Sequence, residues 1–344
     1  MLMDPLHPLS IRWRHLPAAL PWFIRFTLNS RRRRVEEIGL ALKTIYSHVL
    51  DAYDTLLEAA GDRDLIVRQG RLNIYESELA LHKDAYALEL RRRHGIDVKI
   101  LSGDEAREME PALGPLVKRA AFLPVYAHTV NPLRLTQTLV EQFVRDGGTV
   151  VRETVRGFEK KDHGPPRVLT DAGSHDADWV VIAAGAYSAR MAAELGSRVL
   201  LEAERGYHLS IPDPGVTFTR TIMSSDRFIT MTQMEPGLRV TGGAEFSGLD
   251  APPRYDFADV VLKHARDLIP NINPAGARRW MGNRPSTPDS LPIISHSPHH
   301  ANVLFLFSHF GLTLGAIGGK LIAKMAAGNA IRRRIRRLRR SSEA

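Results

Sequence analysis

Two short stretches of this chain are apolar without interruption, Trp179-Val180-Val181-Ile182-Ala183-Ala184 and Val303-Leu304-Phe305-Leu306-Phe307. A strand with one face in water alternates polar and apolar residues. A strand with no polar face has to be covered on both sides, and this is the habit of a parallel sheet flanked by helices. Each run also ends abruptly. Gly185 follows the first, and Ser308-His309-Phe310-Gly311 leads from the second into an apolar helix ending near Ala327. Part of the chain is therefore expected to be α/β, with two buried strands that both turn sharply at their C-terminal ends.

The remaining pattern is different. Residues 1–34 are broken by prolines and rich in Trp and Arg. Val35 to Ala60 reads as one amphipathic helix, with Ile38, Leu42, Ile45, Val49, Tyr53 and Leu56 at three- and four-residue steps and Gly61 as its stop. Leu65 to Tyr75 reads as a strand pair turning at Gly70. Ser77 to His94 and Asn131 to Asp146 read as helices, and Thr149 to Thr154 as a strand. Ser102 opens a short helix that Pro111 stops. Val199 to Phe246 is strand-rich, and Phe257 to Leu268 is helical. The spacing predicts a parallel-sheet domain with an antiparallel one inserted into it. The expected organisation is a helical linker at 1–61, one domain from 62–130 and 199–292, another from 131–198 and 293–328, and a basic disordered tail at 329–344.

At 344 residues the chain is long enough for two such domains. It has no cysteine, which excludes disulfides, thiolate metal sites and Cys nucleophiles. No apolar run reaches ~18 residues, so no membrane-spanning helix is expected. The net charge of +9 is concentrated in the arginines between Arg332 and Arg340, and the rest is nearly balanced. That argues against specific nucleic-acid binding by the body of the protein.

Four stretches could carry chemistry. In Gly282-Asn283-Arg284-Pro285, an arginine between a glycine and a proline can present a fixed guanidinium fork to a carboxylate, or can simply be a surface arginine. Ser308 to Gly315 aims the first amides of a helix at whatever lies beyond the strand, which favours an anion or an electron-rich ring edge by about 0.3–1 kcal/mol. It could also be an ordinary strand–helix turn. Val180 to Ser188 has small residues that allow either a ligand or another backbone to approach. Glu204-Arg205-Gly206-Tyr207-His208 could line a pocket or form a mixed-polarity edge strand. His296, His299 and His300 beside Pro298 read as a solvated loop rather than a metal site.

Taken in order, these stretches resemble one family. SGDEAREMEPAL, HTVNPLRLTQTLVEQFVRDGGTVV, WVVIAAGAYSARMAAELG, LLEAERGYHL, MGNRPSTPDSLPII and NVLFLFSHFGLTLGAIGGKLIA look like the FAD-dependent oxidoreductases of the D-amino-acid oxidase superfamily, and most resemble the bacterial D-amino-acid dehydrogenase type. The resemblance implies α/β plus antiparallel β, in a two-domain D-amino-acid oxidase-like fold with an inserted mixed-sheet substrate domain at 62–130 and 199–292. It implies FAD as cofactor and oxidative deamination of D-amino acids or related amines to 2-oxo acids by hydride transfer to the flavin. Arg284 falls on the arginine that pairs with the substrate carboxylate, and Tyr207 lies in the strand facing the substrate. Val155 falls at the adenine contact. Ala183, Ala184 and Gly185 form the small turn beside the dinucleotide, and Gly311, Leu312 and Thr313 form the helix start under the flavin pyrimidine edge.

The family also opens with a Gly-x-Gly-x-x-Gly turn that cradles the FAD pyrophosphate. Here no two glycines are separated by a single residue. The Rossmann-type FAD-binding domain is thus expected to be incomplete, N-terminally truncated by at least one βαβ unit. Catalysis by this chain competes with two other readings: a non-catalytic remnant, and one part of a split flavoprotein completed by a second chain. The resemblance further implies a small amino-acid substrate and a quinone or other electron-transfer acceptor. The basic tail from Ile331 to Arg340 could touch anionic lipid or simply be a disordered terminus, Arg31 to Arg34 beside Trp22-Phe23-Ile24 could add a second contact, and the resemblance implies a cytoplasmic location with a peripheral contact at the inner membrane face.

Overall fold

The computed structural model describes residues 9–161 and 164–328, so the tail expected at 329–344 lies outside the described residues. The chain forms two compact units, each assembled from separated stretches. The first comprises Met1–Ala18, Gly61–Thr138 and Glu204–Asn283. The second comprises Ala19–Ala60, Leu139–Ala203 and Arg284–Ala344.

The first unit is built on a mixed sheet. Its long antiparallel strands are Glu202–Ile211, Gly237–Phe246 and Ile229–Met234, and Thr221–Ser224 pairs in parallel with Arg71–Tyr75. Period two sets the inside of Glu202–Ile211: Ala203, Arg205, Tyr207, Leu209 and Ile211 are all buried. The helix Asp256–Leu268 lays Phe257, Val261, Ala265 and Leu268 inward at three- and four-residue steps, and Val261, Ala265 and Leu268 meet Ile222, Met231 and Val240 of the sheet in one core. The short helix Gly103–Met109 starts on a complete capping box, in which the Ser102 hydroxyl accepts from the Glu105 amide and the Glu105 carboxylate from the Ser102 amide. At its end Glu110 is buried and accepts from the Thr219 amide and hydroxyl and from Arg220, which pins the helix to the sheet.

The second unit holds both apolar runs. Val180–Ile182 pairs in parallel with Val303–Phe307, with Val180 opposite Val303 and Ile182 opposite Phe305, and Ile293–His296 pairs antiparallel on the far side. The helix Gly311–Ala326 covers the sheet through Ile322 and Met325 against Leu304 and Ile294. Gly318 lets Leu306 come close, since a Cβ there would lie 2.7 Å from a Leu306 methyl. A second sheet, Val155–Glu159, Arg167–Thr170 and Ser174–His175, packs Phe158 and Val168 on the core formed by Val180, Ile182 and Phe305.

Two expectations are corrected and one is made specific. The expected strand at Thr149 to Thr154 does not form. Strand begins only at Val155, and Val150 and Val151 are more than half exposed, at 52% and 54%. An apolar stretch pairs only where a neighbour offers a ladder, and among the described residues none does so here. The Pro-broken segment does contain a helix, Leu16–Asn29. Pro17 lies in its first turn, where an amide would have no partner anyway. Pro21 costs one internal bond, which the burial of Trp22 offsets. The long helix from Val35 is two helices, Arg32–Tyr46 and Val49–Ala60, parted at Ser47 and His48.

Candidate active site

Parallel pairing brings two turns to the same end of one sheet. Because Val180–Ile182 and Val303–Phe307 run in the same direction in near-matching register, Ala183-Ala184-Gly185 and Ser308 to Thr313 leave the sheet together. Ligands of open α/β sheets bind at this carboxyl end. Gly185 has φ +56°, a left-handed conformation that a side chain disfavours, and nothing lies within 4 Å of where its Cβ would be. Gly311 is equally open. Phe310 caps the helix Gly311–Ala326 without any side-chain acceptor, so the amides of Gly311, Leu312 and Thr313 have no carbonyl partner within the helix. All three residues are exposed. On the inner side the Tyr53 hydroxyl donates to the Leu312 carbonyl, which locks this helix start to Val49–Ala60. Burial raises the Tyr53 pKa and keeps it a donor.

Val155 opens the second sheet opposite Thr170, at a register shift before Gly157. It therefore belongs to the same unit as the two turns. Arg284 belongs to it too, near the end of the strand Arg278–Ser286, and is partly buried. The segment after it is held firmly. The Trp22 indole donates to the Ser286 carbonyl at 2.8 Å, the Thr287 hydroxyl to the Leu291 carbonyl at 2.9 Å, and the Asn29 amide to the Pro288 carbonyl at 3.2 Å. Asp289 accepts from the Leu291 amide while Ser290 takes a positive φ of 59°. An arginine followed by such a loop has a fixed backbone from which to present its fork.

Tyr207 lies in the first unit and is fully buried. Its ring stacks on Phe257 at 5.0 Å, and its hydroxyl donates to Glu245 at 2.6 Å and accepts the Arg254 amide at 3.0 Å. Burial, then the Glu245 carboxylate, push the hydroxyl pKa up to about 12. Glu245 is itself fully buried and also takes Arg12 at 2.7 Å, with Arg205 at 3.8 Å. Arg205 turns its guanidinium to the carbonyls of Pro252, Leu249 and Ala251. The sequence reading offered Arg205 only as part of a pocket-lining or edge strand and passed over Glu245 and Arg12. The available signal was one charged residue at a buried position of each of two otherwise apolar strand faces, Arg205 on one strand and Glu245 on its neighbour.

Open glycine backbone at Gly185 and Gly311, with helix-start amides that have no carbonyl partner within the helix, has the chemistry to accept an electron-rich ring edge. The pyrophosphate end finds no Gly-x-Gly turn in these 344 residues. Among the described residues no group of His, Asp and Glu could hold a metal ion, and His296, His299 and His300 form no such site.

One unit is built on a mixed sheet, and the other is an α/β unit with two small turns at the carboxyl end of a parallel pair. The sequence profile of the FAD dependent oxidoreductase family, DAO, matches residues 12–325, and the chain belongs to that family, whose cofactor is FAD. It is 32% identical over 334 residues to a D-amino-acid oxidase of Bradyrhizobium diazoefficiens, covering 95% of this chain and 79% of that protein. It is 27% identical to a D-amino acid dehydrogenase of Vibrio vulnificus, covering 95% of this chain and 80% of the other. Among solved structures it is similar to glycine oxidase from Geobacillus kaustophilus, with a TM-score of 0.72 and 22% identity over 84% of this chain and 79% of that one. It is also similar to iminodiacetate oxidase from Chelativorans, with a TM-score of 0.72 and 23% identity over 86% and 82%. The fold is thus the two-domain D-amino-acid oxidase-like fold.

Proposed function

We propose that this oxidoreductase oxidises the α-carbon of a D-amino acid or a related amine, giving an imine that water hydrolyses to a 2-oxo acid and ammonia. The observation that carries the reading is Arg284, partly buried and fixed by the anchored loop that follows it, in the same unit as the turns at Gly185 and Gly311. FAD, when bound, supplies the acceptor for the hydride. The chain's own residues bind and orient. Arg284 takes the substrate carboxylate through two parallel hydrogen bonds. The amides of Gly311, Leu312 and Thr313 would hold the electron-rich edge of the ring, Ala183 to Gly185 would leave room for the dinucleotide, and Val155 would offer its backbone to the adenine. Tyr207 holds its own strand and the Arg254 loop through its buried network. A quinone or other electron carrier would be the final acceptor.

A second reading rests on the unpaired side of Val180–Ile182. Among the described residues this strand has one neighbour, and Val181 is 40% exposed. A strand–turn–helix segment outside these 344 residues would complete the sheet and supply the pyrophosphate cradle, as in a split flavoprotein.

An absorbance titration of the purified chain with FAD, followed by turnover of D-amino acids with a dye acceptor, separates the two. Near one equivalent of bound flavin, activity with D-amino acids, and loss of saturable activity in Arg284→Ala support the first reading. An Arg284→Ala enzyme with unchanged KM overturns the assignment of that residue. Absence of bound flavin, restored by adding the N-terminal fifth of a relative, supports the second.

A further inference from the structure

The strand Arg71–Tyr75 has two unlike faces. Leu72 and Ile74 point into the main core of the first unit. Period two turns Arg71, Asn73 and Tyr75 the other way, where Tyr75 packs with Leu88 and Leu123 in a smaller core. A buried face of this kind is normally apolar. This one carries an arginine, and an asparagine that is only 1% exposed.

The helix Ala85–Arg93 packs on that face through Leu88. Its N-cap Asp84, then Leu88, then Arg91 follow at four- and three-residue steps, so all three share one side. Asp84 accepts from the Tyr75 hydroxyl at 2.6 Å, which ties the helix start to the strand. At the other end of the strand the Arg71 guanidinium lies 3.9 Å from the centre of the Tyr126 ring. Burial lowers the Arg71 pKa and the like charge of Arg91 adds to this, against the pull of Tyr126, Tyr75 and Asp84. Two cations thus share one partly buried place.

Three polar atoms of this face are buried with no hydrogen-bond partner among the described residues: Arg71 Nε, Arg91 Nη1 and Asn73 Oδ1. Asp84 does not meet them, since its Oδ2 is taken by Tyr75. The Asn73 side chain hydrogen-bonds the Tyr75 hydroxyl as a donor, opposing the rise that burial and Asp84 impose on the Tyr75 pKa. Its oxygen is therefore the atom left over. Buried polar atoms are almost always paired, so three orphans on one face point to a common partner. Their chemistry describes it. Two guanidinium groups suit an oxyanion, through charge-assisted hydrogen bonds. The Asn73 oxygen needs a donor. A small oxyanion that keeps a proton meets all three, and hydrogen phosphate is the simplest. Arg71 and Arg91 are only partly buried, which leaves the place open to solvent.

We propose that Arg71, Arg91 and Asn73 bind a small protonated oxyanion of the phosphate class beside the helix Ala85–Arg93. The site lies wholly within the first unit. It is independent of the substrate reading and of Arg284, and it does not need FAD to be bound.

The test is calorimetry of the full chain with inorganic phosphate and with sulfate, at neutral pH and equal ionic strength. The expected result is saturable binding of phosphate, with sulfate, which has no proton to give, about tenfold weaker. Arg71→Gln and Arg91→Gln should each weaken phosphate about tenfold, as the loss of one charge-assisted hydrogen bond does. Arg91→Gln relieves a like-charge pair, so in phosphate-free buffer it should melt no lower than the parent. Arg91→Lys keeps the charge but not the fork, and should bind phosphate with intermediate strength. No saturable heat with phosphate overturns the proposal. So does binding that the double variant Arg71→Gln, Arg91→Gln leaves undiminished, which would move the anion to another place such as the helix start at Gly311. Sulfate bound as tightly as phosphate overturns the part given to Asn73, and with it the protonated ligand.

Discussion

Tyr207 shows how much a single hydroxyl can hold. It links a fully buried carboxylate to the loop that carries Arg254, and Glu245 in turn depends on Arg12 and Arg205 for its neutralisation. Removing the hydroxyl leaves Glu245 one donor short in a site without water access. Tyr207→Phe should therefore lose on the order of 1–3 kcal/mol in a urea melt at neutral pH. The pH dependence has a definite sign. The folded pKa of about 12 lies above the ordinary value of 10.0, so the protonated hydroxyl is favoured by folding. Its contribution is full below pH ~10 and is lost as pH rises from there towards 12. Melting curves of the parent and Tyr207→Phe should converge across that window. A gap that stays constant up to pH 12 would mean that the hydroxyl does not titrate with folding. Such a network is poorly legible in sequence: Arg205 and Tyr207 stand out on their strand, but Glu245 is 38 residues beyond Tyr207 and only the antiparallel register brings it near.

At the scale of elements, strands declare themselves by pattern but form only in company. Val180–Ile182 and Val303–Phe307 were evident from unbroken apolar runs and do pair in parallel, although Val181 on the outer strand keeps one face 40% exposed. Helix ends were readable where chemistry marks them, as at Ser102 with Glu105. Thr149 to Thr154 has an equally good strand composition and is no strand, because composition says nothing about whether a neighbour is present. The break at Ser47-His48 carries no glycine or proline, so the periodicity ran through it. Hydrogen exchange should rank these elements. Amides of Val303–Phe307, paired on both sides, should be protected most. Those of 149–154 should exchange fast apart from Thr154, whose amide donates to Asp171 at 2.9 Å. Slow exchange throughout 149–154 would mean that the segment pairs in solution, within the chain or between copies.

At the scale of the molecule, family, fold class and cofactor were legible because six stretches kept their order and spacing. The two compact units interleave along the chain, so local patterns gave the elements without fixing the unit to which each belongs. If the turns at Gly185 and Gly311 bind FAD, the second unit gains stability by mass action, about 2.7 kcal/mol when FAD exceeds its dissociation constant a hundredfold. The melting temperature should then rise with FAD concentration, and the rise should shrink in a Gly185→Val variant, which forces a branched side chain into a left-handed turn. A melting temperature that ignores FAD would locate the cofactor's binding energy outside these residues.

The parallel pair has a consequence for the order of synthesis. Val303–Phe307 is the middle strand of its sheet, yet it is made more than a hundred residues after its partner. Until the ribosome has released that stretch, Val180–Ile182 and the helices from Ala19 to Ala60 have no sheet to close on. The first unit, by contrast, has nearly all of its strands once residue 283 has emerged. Nascent chains of this protein should thus hold one finished half and one waiting half, and the waiting half is the one a chaperone would be expected to shield.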